Sequence, residues 1–405
     1  MKLYTFLRKL FVFCFVICVS FTNISCSLSE NNTLGNYQLK TIKIDPEKVS
    51  DGLKLCQYRV DSICSLSFPN GMELHEITKL IVKNDRIYIM DSRLDRTIFV
   101  FDCSGKFLFK AGERGRAKNE YIDGPADFFV DNDNNIHVFD NKAEKILVFD
   151  HTGSVCNVID VRLYYPYSFG MMPNKKYVYD FNFDKDEENT ALAVCDENNI
   201  IKDKLLYRSE KYTFVPSSQT FFANANRLSH IPLLSDSVIV FNNDTLEKVV
   251  KFDFDGKFIM KEAPSLVIDL HEPQEISAYQ GVRALLSYQE TDNLILLEYI
   301  YKSMTNYWLF NKCTQKSISG NFLFEGLSPF HNYYIRDNQI ITIVCDESVS
   351  IDENDSNFDK KEYDANYEKS SEQIKDMYDG KTKLPAIVYF STIVASPAKT
   401  RCIEW

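Results

Sequence analysis

The 405-residue chain has only six histidines (75, 137, 151, 230, 271 and 331), and none stands in an H-E-x-x-H or other metal-ligating spacing. It has no G-x-S-x-G elbow, so the usual serine-hydrolase signature is missing. No two cysteines are spaced C-x-x-C, which leaves zinc and thioredoxin-type redox readings without their ligands. Positive charge is also short, with 46 lysines and arginines facing 57 acidic residues for a formal net charge of −11. That balance argues against a nucleic-acid partner and against an anionic-lipid surface. No metal and no cofactor are expected.

The amino terminus carries an apolar run, Leu10 to Val19, preceded by Lys2, Arg8 and Lys9 and followed by the small Ser25 before Cys26. The run falls well short of the roughly 20 residues that span a bilayer, so residues 1–25 read as a secretory signal that is removed. Its loss takes three cations from a chain at −11 and leaves about −14. A cysteine at the cleavage point resembles the bacterial lipobox, whose thiol is acylated, although Asn23 stands where leucine is usual. The expectation is lipidation of Cys26, a polar tether over residues 26–36, and a place in the cell envelope as an outer-membrane lipoprotein, surface-exposed or periplasmic. Export makes disulfides possible among the eight later cysteines, yet a domain of this size can bury a core without them.

The chain also contains an internal repeat. Thr97-Ile-Phe-Val-Phe-Asp102-Cys-Ser-Gly105 returns as Lys145-Ile-Leu-Val-Phe-Asp150-His-Thr-Gly153, and the upstream Ile87-Tyr-Ile-Met-Asp91 returns as Ile136-His-Val-Phe-Asp140. A period of about 48 residues containing several short strands is the signature of a β-propeller blade. Units are expected over residues 76–111, 126–161, 166–206, 226–260 and 282–319, with a sixth from 333; Gly256 is read as the turn glycine two repeats after Gly153. The fold class is all-β, a six-bladed propeller over residues 37–405 with a short helical insertion in the last blade. Tyr363, Tyr367, Ile374 and Tyr378 mark one face of that helix, read as a cover for the last blade. Ring closure is expected between a strand over residues 38–44 and the terminal run 385–390, because a propeller must join its first and last blades.

Glu76-Ile-Thr-Lys-Leu80, Val100-Phe-Asp-Cys-Ser-Gly-Lys106, the loop Gly112-Glu-Arg-Gly-Arg-Ala-Lys-Asn-Glu-Tyr121 leading to Asp127, and Leu384-Pro-Ala-Ile-Val together resemble the six-bladed β-propeller lipoproteins of Gram-negative bacteria that exploit complex glycans. In that family the loop reads like Gly-Arg-Gly-Pro-Gly-Glu-Tyr. Here Gly115, Arg116, Glu120 and Tyr121 are kept, while Ala117, Lys118 and Asn119 replace Gly, Pro and Gly. The resemblance implies a propeller in the envelope, linked to glycan recognition or uptake.

Propeller connectivity brings the outer-to-inner connections and the loops between second and third strands to one face. Arg93 and Arg96 on one such loop, and Arg114 and Arg116 on the next connection, are candidate ligands for a carboxylate, sulfate or uronic acid, since a planar guanidinium donates paired hydrogen bonds. The alternative for each is a solvated rim ion pair with Asp91, Asp95, Glu113 or Glu120. Glu120, Tyr121 and His331 complete the candidate rim, and Tyr121, Tyr164, Tyr165, Tyr333 and Tyr334 are read either as sugar platforms or as packing residues. His137 alternates with Ile136 and Val138 and reads as structural. Asp131-Asn-Asp-Asn-Asn135 lacks the glycine and glutamate of a calcium loop and reads as a turn. The function expected is non-catalytic binding of an acidic glycan or an envelope protein partner. An enzyme acting on glycans or lactones, using His331 or a carboxylate pair such as Asp95 and Glu120, is the alternative.

Overall fold

The computed structural model describes residues 27–28, 37–48, 58–69, 72–93, 96–181, 190–207, 220–224, 226–262, 278–320, 333–345 and 372–392. These residues form six sheets, antiparallel except for one added edge strand, that follow one another around a ring, the six-bladed propeller expected. Blade one is Ile77–Lys83, Arg86–Asp91, Thr97–Asp102 and Phe107–Ala111, and blade two is Asp127–Val130, Ile136–Asp140, Lys145–Phe149 and Val155–Asp160. Blades three to five begin at the inner strands Ser168–Met171, Phe221–Asn224 and Val282–Glu290. Blade six contains Tyr333–Arg336, Gln339–Val344 and Ala386–Thr392.

The middle strands read as unbroken apolar runs because both of their faces are covered. Ile98, Phe99, Val100 and Phe101 are all fully buried, since each blade packs against a neighbour on either side. The outer strand of blade two has a covered side only, and Val155–Asp160 mixes half-buried with exposed positions.

The repeated aspartates hold the turns that set the period. Asp102 Oδ1 accepts the amides of Ser104 at 2.9 Å and Lys106 at 3.0 Å, and Asp150 Oδ1 accepts those of Thr152 at 2.8 Å and Ser154 at 3.1 Å. Asp196 repeats the device with Asn198 and Ile200. The residue before the last donor is left-handed in each case, at Gly105, Gly153 and Asn199, which explains the glycine and its one asparagine substitute. A second set closes the other end of the blade. Asp91 Oδ2 accepts the His75 amide and Asp140 Oδ2 the Ile122 amide, so the incoming connection is pinned to the end of the second strand.

Three expectations are corrected. The last blade is completed by Tyr58–Ser65, which pairs antiparallel with Ala386–Thr392. Gln38–Lys43 instead adds a parallel fifth strand to the outer edge of blade four, against Thr245–Asp253. Both segments are short mixtures of apolar and polar residues without strict alternation, and periodicity does not choose between them. Blade four starts at Phe221 rather than residue 226. Gly256 is out of phase with Gly153: it follows the outer strand of its blade, while Gly153 lies between third and outer strands, and the turn that matches Gly153 is at residues 243–244.

The expected tether is partly ordered, because Ser27–Leu28 pairs with the outer edge of blade three opposite Tyr207 and Leu206. Glu372–Tyr378 forms the helix of the last insertion, and its Met377 is buried among the side chains shared by blades five and six. Tyr363 and Tyr367 lie outside the described residues, as do Cys26 and residues 1–25. Among the described residues no helix is long and apolar enough to cross a membrane.

Candidate functional site

The connection from blade one to blade two is a built loop on the expected face. The Gly115 amide donates to the Tyr121 carbonyl at 2.8 Å, the Tyr121 amide to the Glu113 carbonyl at 3.0 Å, and the Glu120 amide to the Ala117 carbonyl at 3.1 Å. Lys145 Nζ, from the third strand of blade two, donates to the Lys118 and Glu120 carbonyls at 2.9 and 2.8 Å. The loop is therefore clamped from below by a lysine, and its upper surface is left to the side chains of residues 113–119.

Two of the four arginines meet on one carboxylate. Arg96, left-handed at φ 45°, donates to the Asp123 carboxylate and carbonyl, and Arg114 Nη2 approaches the same carboxylate oxygen at 3.8 Å. Arg93 and Arg116 are exposed and form no ion pair with any described residue, while the Arg93 carbonyl accepts Arg96 Nε at 3.2 Å. Asp91, one of the expected counter-ions, is fully buried and spends its oxygens on the amides of His75, Glu76 and Arg93. Glu120 is likewise used inside the loop, accepting the Ala117 amide at 2.8 Å and filling the space beside Gly115. Asp95 lies outside the described residues. Guanidinium groups on two neighbouring connections thus outnumber the carboxylate they share.

Of the two readings of the loop tyrosine, the structure bears out the packing one. Tyr121 is fully buried, its ring 6.0 Å from that of Phe149 and pressed against Gly112, with its hydroxyl donating to the Ala111 carbonyl. Burial pushes its phenol well above the ordinary range, so it is a neutral post beneath the loop. Tyr333 and Tyr334 are buried too, and Tyr164 packs on Tyr179 at 5.9 Å; only Tyr165, 55 % exposed, presents its ring to solvent. His331 lies outside the described residues.

Around the inner strands the structure also assembles buried polar pairs that the residue-by-residue reading did not single out. Lys79 Nζ meets Asp127 Oδ1 at 2.7 Å between the inner strands of blades one and two, and lies 3.9 Å from the centroid of the Phe129 ring. Burial raises the Asp127 carboxyl and lowers the Lys79 ammonium, and their attraction opposes both shifts. The two positions are one repeat apart, the signal that would have found them. His230 Nε2 meets Asp180 Oδ2 at 2.9 Å, both enclosed. His137 bonds Tyr177 at 2.7 Å and Asp131 at 3.4 Å on the opposite face, in keeping with a structural role. Burial would raise the Asp131 carboxyl, but hydrogen bonds from His137, Lys175 and Asn135 outweigh it and hold the carboxyl low. Among the described residues no three histidine, cysteine, aspartate or glutamate side chains converge as metal ligands.

The ring of six blades defines the class as a β-propeller. Residues 74–377 match the family described as "Domain of unknown function (DUF4934)", and the chain belongs to that family. No curated protein matches it. Among solved structures, it is similar to a Bacteroides fragilis protein described as a "Putative exported protein", at 14% identity and TM-score 0.67, covering 88% of this chain and 99% of that one. A Bacteroides vulgatus member of the DUF4221 family matches at 10% identity and TM-score 0.45, covering 82% and 97% of the two chains. Virginiamycin B lyase from Staphylococcus aureus matches at 10% identity and TM-score 0.37, covering 70% and 81%. The first likeness shows the fold; the other two are too distant in geometry to bear on this chain.

Proposed function

We propose that this protein is an envelope-located binding propeller, anchored by a lipid on Cys26, whose rim arginines receive an acidic group such as a uronate, sulfate or phosphate of a glycan or of a partner protein. The observation that carries the reading is the sharing of Asp123 by Arg96 and Arg114, with Arg93 and Arg116 exposed beside them on a chain of net charge −11. A local excess of guanidinium on an acidic protein is balanced when an anion supplies the missing oxygens, at roughly 1.5–3 kcal/mol per charge-assisted hydrogen bond. The export signal and the likeness to a protein described as exported support the location.

The test is titration of the protein with acidic and neutral oligosaccharides. Arg114→Ala and Arg116→Ala should each weaken an acidic ligand about tenfold, more at low salt, and leave a neutral sugar unaffected. Equal affinity of wild type and both variants would overturn the reading.

A further inference from the structure

Seven large apolar side chains stand exposed among the described residues, and three of them, Ile122, Leu163 and Tyr165, flank a single turn of blade two. The Ile122 amide donates to Asp140 at one end of that turn, and the Val161 amide donates to the Glu144 carbonyl near the other. Both connections therefore leave the ring on the face that carries the arginines. Their exposures are 50 %, 82 % and 55 %.

The short turn after Val161 is built to project these side chains. Val161 is buried, Tyr164 lies against Tyr179, and the amides of Tyr164 and Tyr165 both return to the Val161 carbonyl at 2.9 and 3.2 Å. Tyr165 is held left-handed at φ 48°, a conformation disfavoured for an aromatic residue. With the backbone so arranged, Leu163 and Tyr165 extend to solvent while Tyr164 and Pro166 pack inward, and Arg162 stands exposed beside them in an ion pair with Asp160.

We infer that this patch is a membrane-docking surface and that its occupant is the lipid bilayer. Two further observations favour a bilayer. Ser27, the neighbour of Cys26, is hydrogen-bonded to the outer edge of blade three, the blade into which the Leu163 and Tyr165 connection leads. A lipid on Cys26 would hold that side of the ring at the membrane. The exposed cations Arg116, Lys118 and Lys142 belong to the loop and turn around Ile122 and form no ion pair with any described residue. Apolar side chains, one tyrosine and surrounding cations are the composition that seats at a lipid headgroup boundary. The overall acidity of the chain opposes contact elsewhere and so orients it. The inference rests on the anchor at Cys26; Arg116 belongs both to this surface and to the proposed ligand site, so the test changes only the apolar side chains and leaves the arginines in place.

The experiment uses the mature chain carrying Cys26→Ala, which cannot be lipidated, with vesicles of phosphatidylcholine alone or mixed with phosphatidylglycerol. Ile122→Asp combined with Leu163→Asp should lower vesicle partition at least about tenfold with an unchanged melting midpoint, because both side chains are exposed. In separate chains Leu163→Trp and Ile200→Trp place a reporter on each face, Ile200 being 50 % exposed in the opposite turn of blade three. Brominated lipid should quench the first and spare the second. Equal quenching of the two, unaltered partition of the double variant, or absence of vesicle binding overturns the inference. A concentration-dependent change at position 163 without vesicles would identify a second copy of the chain as the occupant and also overturn it. Retained binding of a soluble acidic sugar by the double variant would show that the arginine site stands apart from the outcome.

Discussion

Ile63 lies opposite Val388 in the outermost strand pair of blade six, so a residue from the start of the propeller sits across from one near its end. Val388 is fully buried there, and Val60, three residues before Ile63, is also part of the core shared by blades five and six. Val388→Asp should place an unpaired charge in the seam at a cost of about 3–5 kcal/mol and yield insoluble or protease-labile protein. Leu39→Asp, on the exposed side of the strand added to blade four, should melt as wild type does. A thermal scan of both chains decides whether closure depends on the 58–65 strand.

Asp123 competes with any ligand for Arg96 and Arg114. Asp123→Asn should tighten binding of an acidic oligosaccharide by roughly threefold or more, the size of a partly exposed ion pair, with little change in stability. Calorimetric titration at two salt concentrations reads both effects, and weaker binding would mean that the carboxylate positions the arginines.

Lys79 and Asp127 neutralise each other where solvent is excluded. Lys79→Met should strand the carboxylate and destabilise the protein by about 3–5 kcal/mol, whereas Lys79→Met with Asp127→Leu should regain most of that loss. Denaturant melts of the single and double variants measure the difference.

Glu290 accepts Lys248 Nζ at 2.8 Å and Lys312 Nζ at 2.5 Å. Burial works to raise its carboxyl, but the two ammonium groups hold it at about 2 against the ordinary 4.5. A depressed folded value stabilises the protein fully above pH 4.5, and the contribution fades as pH falls from 4.5 towards 2. Glu290→Gln should destabilise the protein at neutral pH and flatten the loss of stability across that acid window, as followed by melts at stepped pH.

Cys26→Ala combined with Ile122→Asp and Leu163→Asp should release the protein from the membrane fraction after a high-salt wash without altering its melting midpoint. Retention of that triple variant would count against the lipid anchor.

The blade period was legible because it is written in local chemistry: an aspartate accepting amides two and four residues on, and a left-handed residue between them, recur at Asp102 and Asp150 wherever the chain turns. Ring closure was not legible, because neither Gln38–Lys43 nor Tyr58–Ser65 carries a strict strand period and the choice is made by partners far along the chain. Gly256 misled for a related reason, since an Asp-Gly pair after an apolar strand suits a turn on either side of the outer strand. At the site, the shared face of Arg96 and Arg114 followed from connectivity alone. The burial of Tyr121 did not, because it depends on the tight approach of Gly112 from the same loop.

The strand that seals the ring is made early and its partner late. A chain threaded through a membrane amino terminus first would deliver residues 58–65 to the far side long before residues 386–392 arrive. Until then the first strand has an open hydrogen-bonding edge, and blades one to five can stack only as an unclosed arc. In a chain exported in this way no part is topologically complete until nearly all of it has crossed, so premature termination near residues 386–392 would leave a nearly full-length product with the vulnerability of a fragment.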